Sequence, residues 1–338
     1  MNNKIHWPAG AALLVVAAEA AQAEVVFDGS LGPVATLSGA FEIPNSYGTQ
    51  VGANLFHSFA RFNVNPGESA TFTSNFGGLT AHVIGRVTGG APSIIDGGLS
   101  SSIAGASLWL VNPDGLIFGP GAVLDVDGGF YASTADFLAF EDGGLFAATD
   151  PGASMLTVAT PAAFGFRDAN VAPIEAGAAT LGVREGERLS LVGGDLVLTG
   201  TTLLAPSGVI DLGSVAGAGT MRPTLEVGSV ADFGAVTLRG ANVDTTAASG
   251  GEIHIRGGRL VLEMSTFLTA NTVGADTTAR GGDIRLDVNE AAILGGSQLS
   301  STTFGAGNGG LIRLNAVGDV NIEGSVGGTP AGIFANVR

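Results

Sequence analysis

The sequence predicts an all-β chain wound into a parallel β-helix, a three-sided solenoid with three strands in each turn. Glycine makes up 55 of the 338 residues, about 16% against a usual value of about 7%, so tight corners recur along the chain. From Ser107 onward, short apolar pieces follow one another, and pieces three apart begin 21 or 22 residues apart. One strand every seven or eight residues suits a coil that never reverses, whereas sandwiches and barrels space their strands by about 8 to 12 residues.

Composition and charge exclude several classes of protein. The chain has 14 basic and 30 acidic residues, its one lysine is Lys4, and it has no cysteine. This acidic balance argues against a nucleic acid or an anionic membrane surface as partner. Without cysteine there is no disulfide framework, and beyond the N-terminus no apolar run is long enough to predict a membrane span in the mature chain.

The first 23 residues have the pattern of a secretory signal peptide. Lys4 supplies the positive charge, residues 9–18 form a short apolar segment, and Ala21 and Ala23 are the small residues of a cleavage site. We therefore expect an exported protein whose mature chain begins at residue 24.

Residues 24–95 are less regular, and we expect them to form an N-terminal β cap. Their strands are longer, as in residues 59–64 and 81–87. A cap of this kind would cover the first coil edge, which otherwise exposes unpaired backbone groups.

The next stretch contains six short pieces that we expect to be coil strands. Three strands per turn would stack Leu108 on Phe130 and place Leu116 near Phe137, with alternate side chains pointing into the coil. If the whole mature chain coiled at about 22 residues per turn, it would make about 14 turns. The six pieces are residues 107–111, 115–118, 122–126, 129–132, 136–140 and 144–147.

The C-terminal part repeats by sequence as well as by spacing. A Gly-Gly-x-Ile-polar-aliphatic pattern begins at Gly250, Gly281 and Gly309, at steps of 31 and 28 residues. These steps exceed one turn, so each repeat is expected to contain a coil and a loop, with residues 272–280 as one such loop. Glycine at the corners would permit a positive φ.

A tetrapeptide at residues 112–115 has the composition of a tight turn. Asn112 can accept a backbone hydrogen bond at the first position, Pro113 sets φ at the second, and Gly115 closes the turn after Asp114. By itself, this pattern predicts only a corner between two strands.

The surroundings of that turn resemble a known family. Residues 108–119 (LWLVNPDGLIFG), followed by residues 124–126 and 132–138, are similar to the haemagglutination-activity or two-partner-secretion domain of filamentous haemagglutinin-like exoproteins. The resemblance extends over roughly residues 25–220. Further matches occur, in order, at residues 55–59, 62–64, 86–90, 189–195 and 210–217.

This resemblance implies a fold and a function. The β-helix would be right-handed, and an outer-membrane β-barrel transporter would carry the protein to the surface or surroundings of a Gram-negative-type bacterium. The protein would be an adhesin or surface-interaction protein, not an enzyme, with an unidentified host or surface receptor for which a carbohydrate is one candidate. The expected division is a signal peptide (1–23), a secretion domain with cap and first coils (24–165), and a β-helical continuation (166–338).

The same resemblance assigns partner recognition to the turn of Asn112, Pro113, Asp114 and Gly115. The family's usual motif has Asn where this chain has Asp114, a change that preserves the turn. A second, weaker motif is expected upstream, and its best position runs from Asn75 to Leu79 without the family's proline.

Catalytic and cofactor sites find little support. Residues 305–310 match G-x-G-x-x-G but precede a strand-like segment, so no helix would receive a phosphate, and no cofactor is expected. His57, His82 and His254 are far apart and lack metal-ligand spacing. The alternative function is a polysaccharide-acting β-helix enzyme, a lyase or hydrolase. It would need acidic and basic residues on successive coils of one face, and the sequence shows no obvious carboxylate run.

Overall fold

The computed structural model describes residues 24–76, 78–274 and 278–338, and nearly all the regular structure there is β-strand. The signal peptide predicted for residues 1–23 lies outside the described residues. Parallel strands from successive turns stack in register on three sides, which we name walls A, B and C. Two short 3-10 segments, Asn45–Tyr47 and Pro151–Ala153, interrupt the strands.

The three walls are built as follows. Wall A consists of Asn54–Phe62, His82–Val87, Ser107–Val111, Phe130–Ser133, Arg188–Gly193, Val209–Ser214, the first halves of Glu252–Glu263 and Asp283–Leu294, and Ile312–Ala316. Wall B consists of Ser93–Ile95, Leu116–Phe118, Ile174–Gly177, Leu196–Thr199, Ala235–Arg239, the second halves of the same two long strands, and Val320–Glu323. Wall C consists of Ala40–Pro44, Ser69–Thr73, Gly98–Ser101, Val123–Asp125, Thr180–Gly182, Thr202–Leu204, Asn242–Asp244, Phe267–Thr269, Gln298–Thr303 and Gly332–Val337.

The predicted fold class, a right-handed three-sided parallel β-helix with an N-terminal β cap, is confirmed. Leu108 pairs with Phe130 on wall A, as the spacing predicts. In the described residues, wall C has ten strands, one from each turn, so the coil makes about ten turns instead of the expected 14 or so. The turns are fewer because long segments leave the coil.

Aliphatic ladders fill the interior of the coil. On wall C, Leu203, Val243, Leu268 and Leu299 occupy equivalent positions of four successive turns, and all four are fully buried. Their sequence neighbours point outward, because side chains alternate along a strand. Each turn therefore buries its apolar face only against the turns beside it.

The cap is smaller than the sequence predicts. Three antiparallel strands, Val25–Phe27, Thr36–Leu37 and Thr49–Val51, pair with one another or with Asn54–Phe62. The coil already begins at Ala40–Pro44, which pairs in parallel with the next strand of wall C. The expectation that residues 24–95 form the cap is therefore wrong. The wall A strands in this region, Asn54–Phe62 and His82–Val87, are long and apolar because both of their faces are buried.

Part of the chain leaves the coil to form an antiparallel outer sheet. Phe137 pairs with Ala147 and Gly165 in this sheet, so residues 136–147 are not coil strands. Leu116 pairs instead with Ser93 and Ile174 on wall B, and the predicted contact between Leu116 and Phe137 is wrong. The outer sheet consists of Phe137–Phe140, Leu145–Ala147, Pro161–Phe166 and Gly219–Met221, while Ser325–Val326 and Thr329–Pro330 form a separate short hairpin.

A second hydrophobic core lies between the outer sheet and wall A. Phe56, Ile84 and Trp109 project outward from wall A and pack in one buried cluster with Leu138 and Phe164 of the outer sheet. The ring of Trp109 also stacks on Tyr131 of the next turn, with centroids 3.9 Å apart. This core explains the continuous apolar runs in the first wall A strands, since neither face of those strands meets water.

The Gly-Gly repeats mark corners where turns approach closely. Ile253, Ile284 and Ile312 are in register on wall A, which aligns the three repeats. A Cβ on Gly281 would lie 2.1 Å from the backbone nitrogen of Gly310, and neither Gly250 nor Gly281 has a positive φ. These glycines are needed for close approach, not for the positive φ expected from the sequence. The predicted loop 272–280 lies partly outside the described residues.

Candidate functional site

The Asn112 turn forms the corner between walls A and B. The Asn112 side-chain oxygen accepts a hydrogen bond from the backbone N–H of Asp114 at 3.0 Å. The Asn112 carbonyl accepts another from the N–H of Gly115 at 3.2 Å. Both bonds belong to the turn that the sequence pattern predicts.

The other end of the Asn112 amide holds neighbouring turns together. Its NH₂ group donates to the carbonyl of Ala91 at 3.0 Å and to Ser93 Oγ at 2.9 Å, both in the preceding turn. Its backbone N–H donates to the carbonyl of Ser133 in the following turn at 2.9 Å. The Asn112 side chain is completely buried, whereas Asp114 is exposed. A partner at this corner would touch Asp114, and Asn112 would set the shape of the corner.

Gly115 completes the corner, and its backbone conformation is unfavourable for any residue other than glycine. Its φ is +121°, which lies outside the range that L side chains readily adopt. A Cβ at this position would make only ordinary contacts with Pro92 and Pro173 at 3.5 Å, so the φ value is what requires glycine here.

The weaker motif lies elsewhere. Asn75 and Leu79 are both exposed in the loop that leads into the wall A strand His82–Val87. The Asn112 turn follows the far end of Ser107–Val111, which pairs in parallel with that strand. The two motifs are therefore separated by a strand length, about 16 Å at about 3.3 Å per residue. The structure does not bring them into one site.

Arg86 is a buried junction for which the sequence suggests no role. It is only 2% exposed, and its Nε donates to Ser58 Oγ of wall A at 2.8 Å. One terminal nitrogen donates to the carbonyl of Ala147 in the outer sheet at 2.6 Å, and the other donates to Ser30 Oγ of the cap at 3.2 Å. Its guanidinium also lies 4.4 Å from the ring centroid of Phe146. One side chain thus joins the cap, the coil and the outer sheet.

Asp28 supports this junction electrostatically. Burial opposes ionisation of Asp28, but hydrogen bonds from Ser58, Ser30 and Thr88 together hold its pKa below the ordinary value. Burial also lowers the pKa of Arg86, and the Asp28 charge opposes that effect. The sequence does not reveal this arrangement, because Arg86 lies within an apolar strand with nothing to indicate its partners.

The three histidines singled out in the sequence are far apart in the fold. His57 points into the coil among Phe27, Phe59 and Phe72, and His254 lies several turns away on the outside of wall A. His82 lies near Trp109, with ring centroids 6.2 Å apart. In the described ranges, no group of three or more His, Cys, Asp or Glu side chains is placed to hold a metal ion.

We expect the protein to lose stability in mild acid because of His57. Burial lowers its pKa from 6.5 to about 4, so between these values the unfolded chain binds a proton that the folded chain does not. The free energy of unfolding should therefore fall as the pH drops from 6.5 towards 4, by about 2 to 3 kcal/mol from this group. Urea unfolding at pH 7.5 and 4.5 measures the loss, and His57→Leu should reduce it.

His254 provides the control because its effect has the opposite sign and a different pH window. Its pKa is raised to about 9, so its contribution to stability is complete below pH 6.5 and is lost as the pH rises towards 9. His254→Gln should not reduce the acid-induced loss and should enlarge it, because the stabilisation from His254 is incomplete at pH 7.5 and becomes complete below pH 6.5. An equal acid-induced loss in wild type and His57→Leu would contradict the prediction.

A column of charged side chains follows successive coils on the outside of wall A. Asp211, His254 and Arg285 occupy equivalent positions in three successive turns. Asp211 is completely buried and binds Arg188, while His254 Nδ1 lies 3.0 Å from Asp211 and His254 Nε2 lies 3.2 Å from Glu252. The sequence shows no obvious carboxylate run, but the fold assembles a mixed acidic and basic cluster on this face. Loops of unequal length hide this alignment in the sequence.

A second column of polar side chains, beside the first, centres on Asp287. Arg285 Nε and Arg256 Nη2 lie 2.7 and 3.2 Å from its carboxylate, and the Asn315 amide donates to it at 2.7 Å. Burial opposes ionisation of Asp287, but these partners hold its pKa below the ordinary value. The hydrogen bond from His254 lowers the pKa of Glu252. For His254, burial works against protonation, but Asp211 and Glu252 raise its pKa.

Comparison with known proteins identifies a family. A family model described as the TPS secretion domain matches residues 23–227. No match was found among the curated proteins. In the part of the chain that the structure describes, no helix is long and apolar enough to cross a membrane.

Two solved structures are similar to this chain. The HMW1 secretion domain from Haemophilus influenzae is 16% identical, with a TM-score of 0.41 over 84% of this chain and 92% of the other. The filamentous hemagglutinin secretion domain is 15% identical, with a TM-score of 0.40 over 93% of this chain and 99% of the other.

Proposed function

Because the chain belongs to the family of TPS secretion domains, we propose that its N-terminal part directs export by two-partner secretion through a dedicated outer-membrane β-barrel transporter. The observation that carries this proposal is the family match over residues 23–227, which includes the cap, the outer sheet and the Asn112 corner. We further propose that residues 1–23 are the signal peptide, and that the mature protein reaches the surface or surroundings of a Gram-negative-type bacterium. The division at residue 165 stays a prediction.

The Asn112 corner is the proposed recognition element. Asp114 is exposed there, while Asn112 is buried and bonded to the turns on both sides. Such a corner presents a fixed shape to a partner, since a rigid contact loses little conformational entropy on binding. Asn75 and Leu79 would contribute separately, because they lie at the other end of the strand.

We expect Asn112→Ala to reduce the amount of exoprotein in the medium severalfold in cells that carry the transporter. The substitution removes the acceptor for Asp114 and the donors to Ala91 and Ser93, so the corner loses its shape. Immunoblotting of medium and periplasm measures the effect. The control is Asn170→Ala, an exposed asparagine in another loop. Wild-type export of a folded Asn112→Ala protein would show that this corner does not contribute.

Adhesion is the proposed role of the exported protein. An elongated coil has a large surface with few charged residues, and its receptor would be a host or surface molecule such as a carbohydrate. The enzyme alternative gains one observation, the charged cluster on wall A. However, Asp211 and Asp287 are paired with arginines, and the pKa values of Glu252 and Asp287 are lowered. A glycosidase needs a carboxyl group that stays protonated to act as general acid, so Glu252 and Asp287 are poorly suited to hydrolysis.

A further inference from the structure

A groove lies between the C-terminal turns of wall A and a segment that leaves the coil. Residues 223–234 connect the outer sheet to wall B and form one side of the groove. The groove contains a cavity of about 180 Å³ lined by Glu226, His254, Arg256 and Arg285. A second cavity of about 230 Å³, lined by Phe233, Asn289 and Asn315, adjoins it, and Arg256 and Asp287 line both.

The groove runs along the coil axis. Arg256, Asp287 and Asn315, which line the cavities, are in register on three successive turns, and His254 and Arg285 lie in register beside the first two of them. Neighbouring strands are about 4.8 Å apart, so similar polar groups recur at that interval along the axis. A linear ligand lying in the groove would meet a new set of donors and acceptors at each turn.

The charges of the groove differ from those of the whole chain. Around the first cavity, protonated His254, Arg256 and Arg285 balance Glu226, Glu252 and Asp287, whereas the whole chain has a net charge of −16. The Arg285 side chain is 51% exposed, so its unused N–H groups face solvent. Guanidinium groups match the planar geometry of a carboxylate, and Arg256 and Arg285 could both face one.

The remaining lining groups suit a sugar. The amides of Asn289 and Asn315 offer donors and acceptors, and the Asp287 carboxylate offers acceptors. Hydroxyl groups require both kinds of partner. Phe233 is half-buried with its ring 6.0 Å from the Arg256 guanidinium, so an apolar face lies beside the charged groups. Glu226 and Glu252 near the same groove would repel a ligand of high negative charge density.

We propose that this groove binds a carboxylate-bearing oligosaccharide along the coil axis, with Arg256 and Arg285 on its carboxylates. Asp287, Asn289 and Asn315 would bind its hydroxyl groups, and Phe233 would contact a ring face. This inference rests on the adhesive function proposed above and names the chemistry of the receptor.

Calorimetric titration of the purified full chain with a hexamer of galacturonic acid tests this assignment. We expect binding that weakens as salt rises and that falls about tenfold or more in Arg285→Gln, since the variant loses a charge-assisted hydrogen bond to the carboxylate. The matched control is Arg259→Gln, an exposed arginine in the wall B half of the preceding long strand, Glu252–Glu263, which should bind like wild type. A neutral glucose hexamer and a heparin hexasaccharide should both bind more weakly than the uronate.

Several results would overturn the inference. These are no binding of the uronate by wild type, equal binding by Arg285→Gln, and equal losses in Arg285→Gln and Arg259→Gln. Stronger binding of heparin or of the neutral hexamer would overturn the choice of a carboxylate ligand, and shorter products after incubation would favour the enzyme alternative.

The secretion assay separates this inference from the proposed function. Arg285→Gln should be exported normally while losing affinity for the uronate, because Arg285 lies outside the residues matched by the family model. Transporter-dependent export of a wild-type protein that does not bind the uronate would overturn the groove assignment alone. Binding by a protein whose export does not depend on the transporter would overturn the secretion proposal alone.

Discussion

Phe118→Ala should lower the free energy of unfolding by about 3 to 5 kcal/mol. Phe118 is fully buried in wall B, where its ring packs edge-to-face on Phe130 with centroids 6.2 Å apart. Its pairing partners Ile95 and Ala176 belong to the turns on either side. The backbone ladders hold those turns in place, so the cavity left by the ring cannot close. Urea unfolding followed by circular dichroism measures the loss.

The control for this experiment is Ile94→Ala. Ile94 lies on the preceding strand of wall B but points outward and is 42% exposed. Its truncation should cost less than about 1 kcal/mol, because little apolar surface leaves water on folding. Similar urea midpoints for wild type and Phe118→Ala would mean that Phe118 does not belong to the core.

Arg86→Met should cost about 3 kcal/mol or more and should loosen the outer sheet. The substitution keeps an unbranched, flexible side chain, but it shortens that chain and removes the donors to Ser58, Ser30 and the Ala147 carbonyl. Ser58 and the Ala147 carbonyl, which are both buried, would each lose a charge-assisted hydrogen bond, and the Asp28 charge would lose its nearby cation. Hydrogen exchange should show weaker protection in the strands Phe137–Phe140 and Leu145–Ala147, in addition to a lower urea midpoint.

Arg61→Met is the matched control for Arg86. Arg61 binds Glu24 at 2.7 Å, but its side chain is 51% exposed, and surface ion pairs of this kind contribute about 1 kcal/mol or less. If Arg86→Met changed neither the urea midpoint nor the exchange of the outer sheet, Arg86 would not join the three parts of the fold.

Spacing and alternation were sufficient to predict the coil itself. The interval between Leu108 and Phe130 indicates one turn, and the repeats at Gly250 and Gly281 indicate the alignment of later turns, which the pairing of Ile253 with Ile284 confirms. These features are local, because an alternating segment of about five residues predicts a half-buried strand wherever it lies in the chain.

The same reasoning failed at residues 136–147. Phe137 and its neighbours have the length and composition of coil strands, but they pair with Pro161–Phe166 in the outer sheet. The sequence of a short apolar strand does not specify which strand it pairs with. The pairing depends on which apolar surface of the fold would otherwise stay exposed. Here that surface is the outward face of wall A around Trp109.

The sequence by itself determined the strand pattern, the coil, the corner at Asn112 and, through its motifs, the family. Only the tertiary structure decided that the Asn112 side chain is buried, that Arg86 joins cap, coil and outer sheet, and that Asp211, His254 and Arg285 form one column. The physical reason is that turn and strand preferences act over a few residues. Burial and charge pairing instead depend on long-range contacts, whose register is set by loops of unequal length.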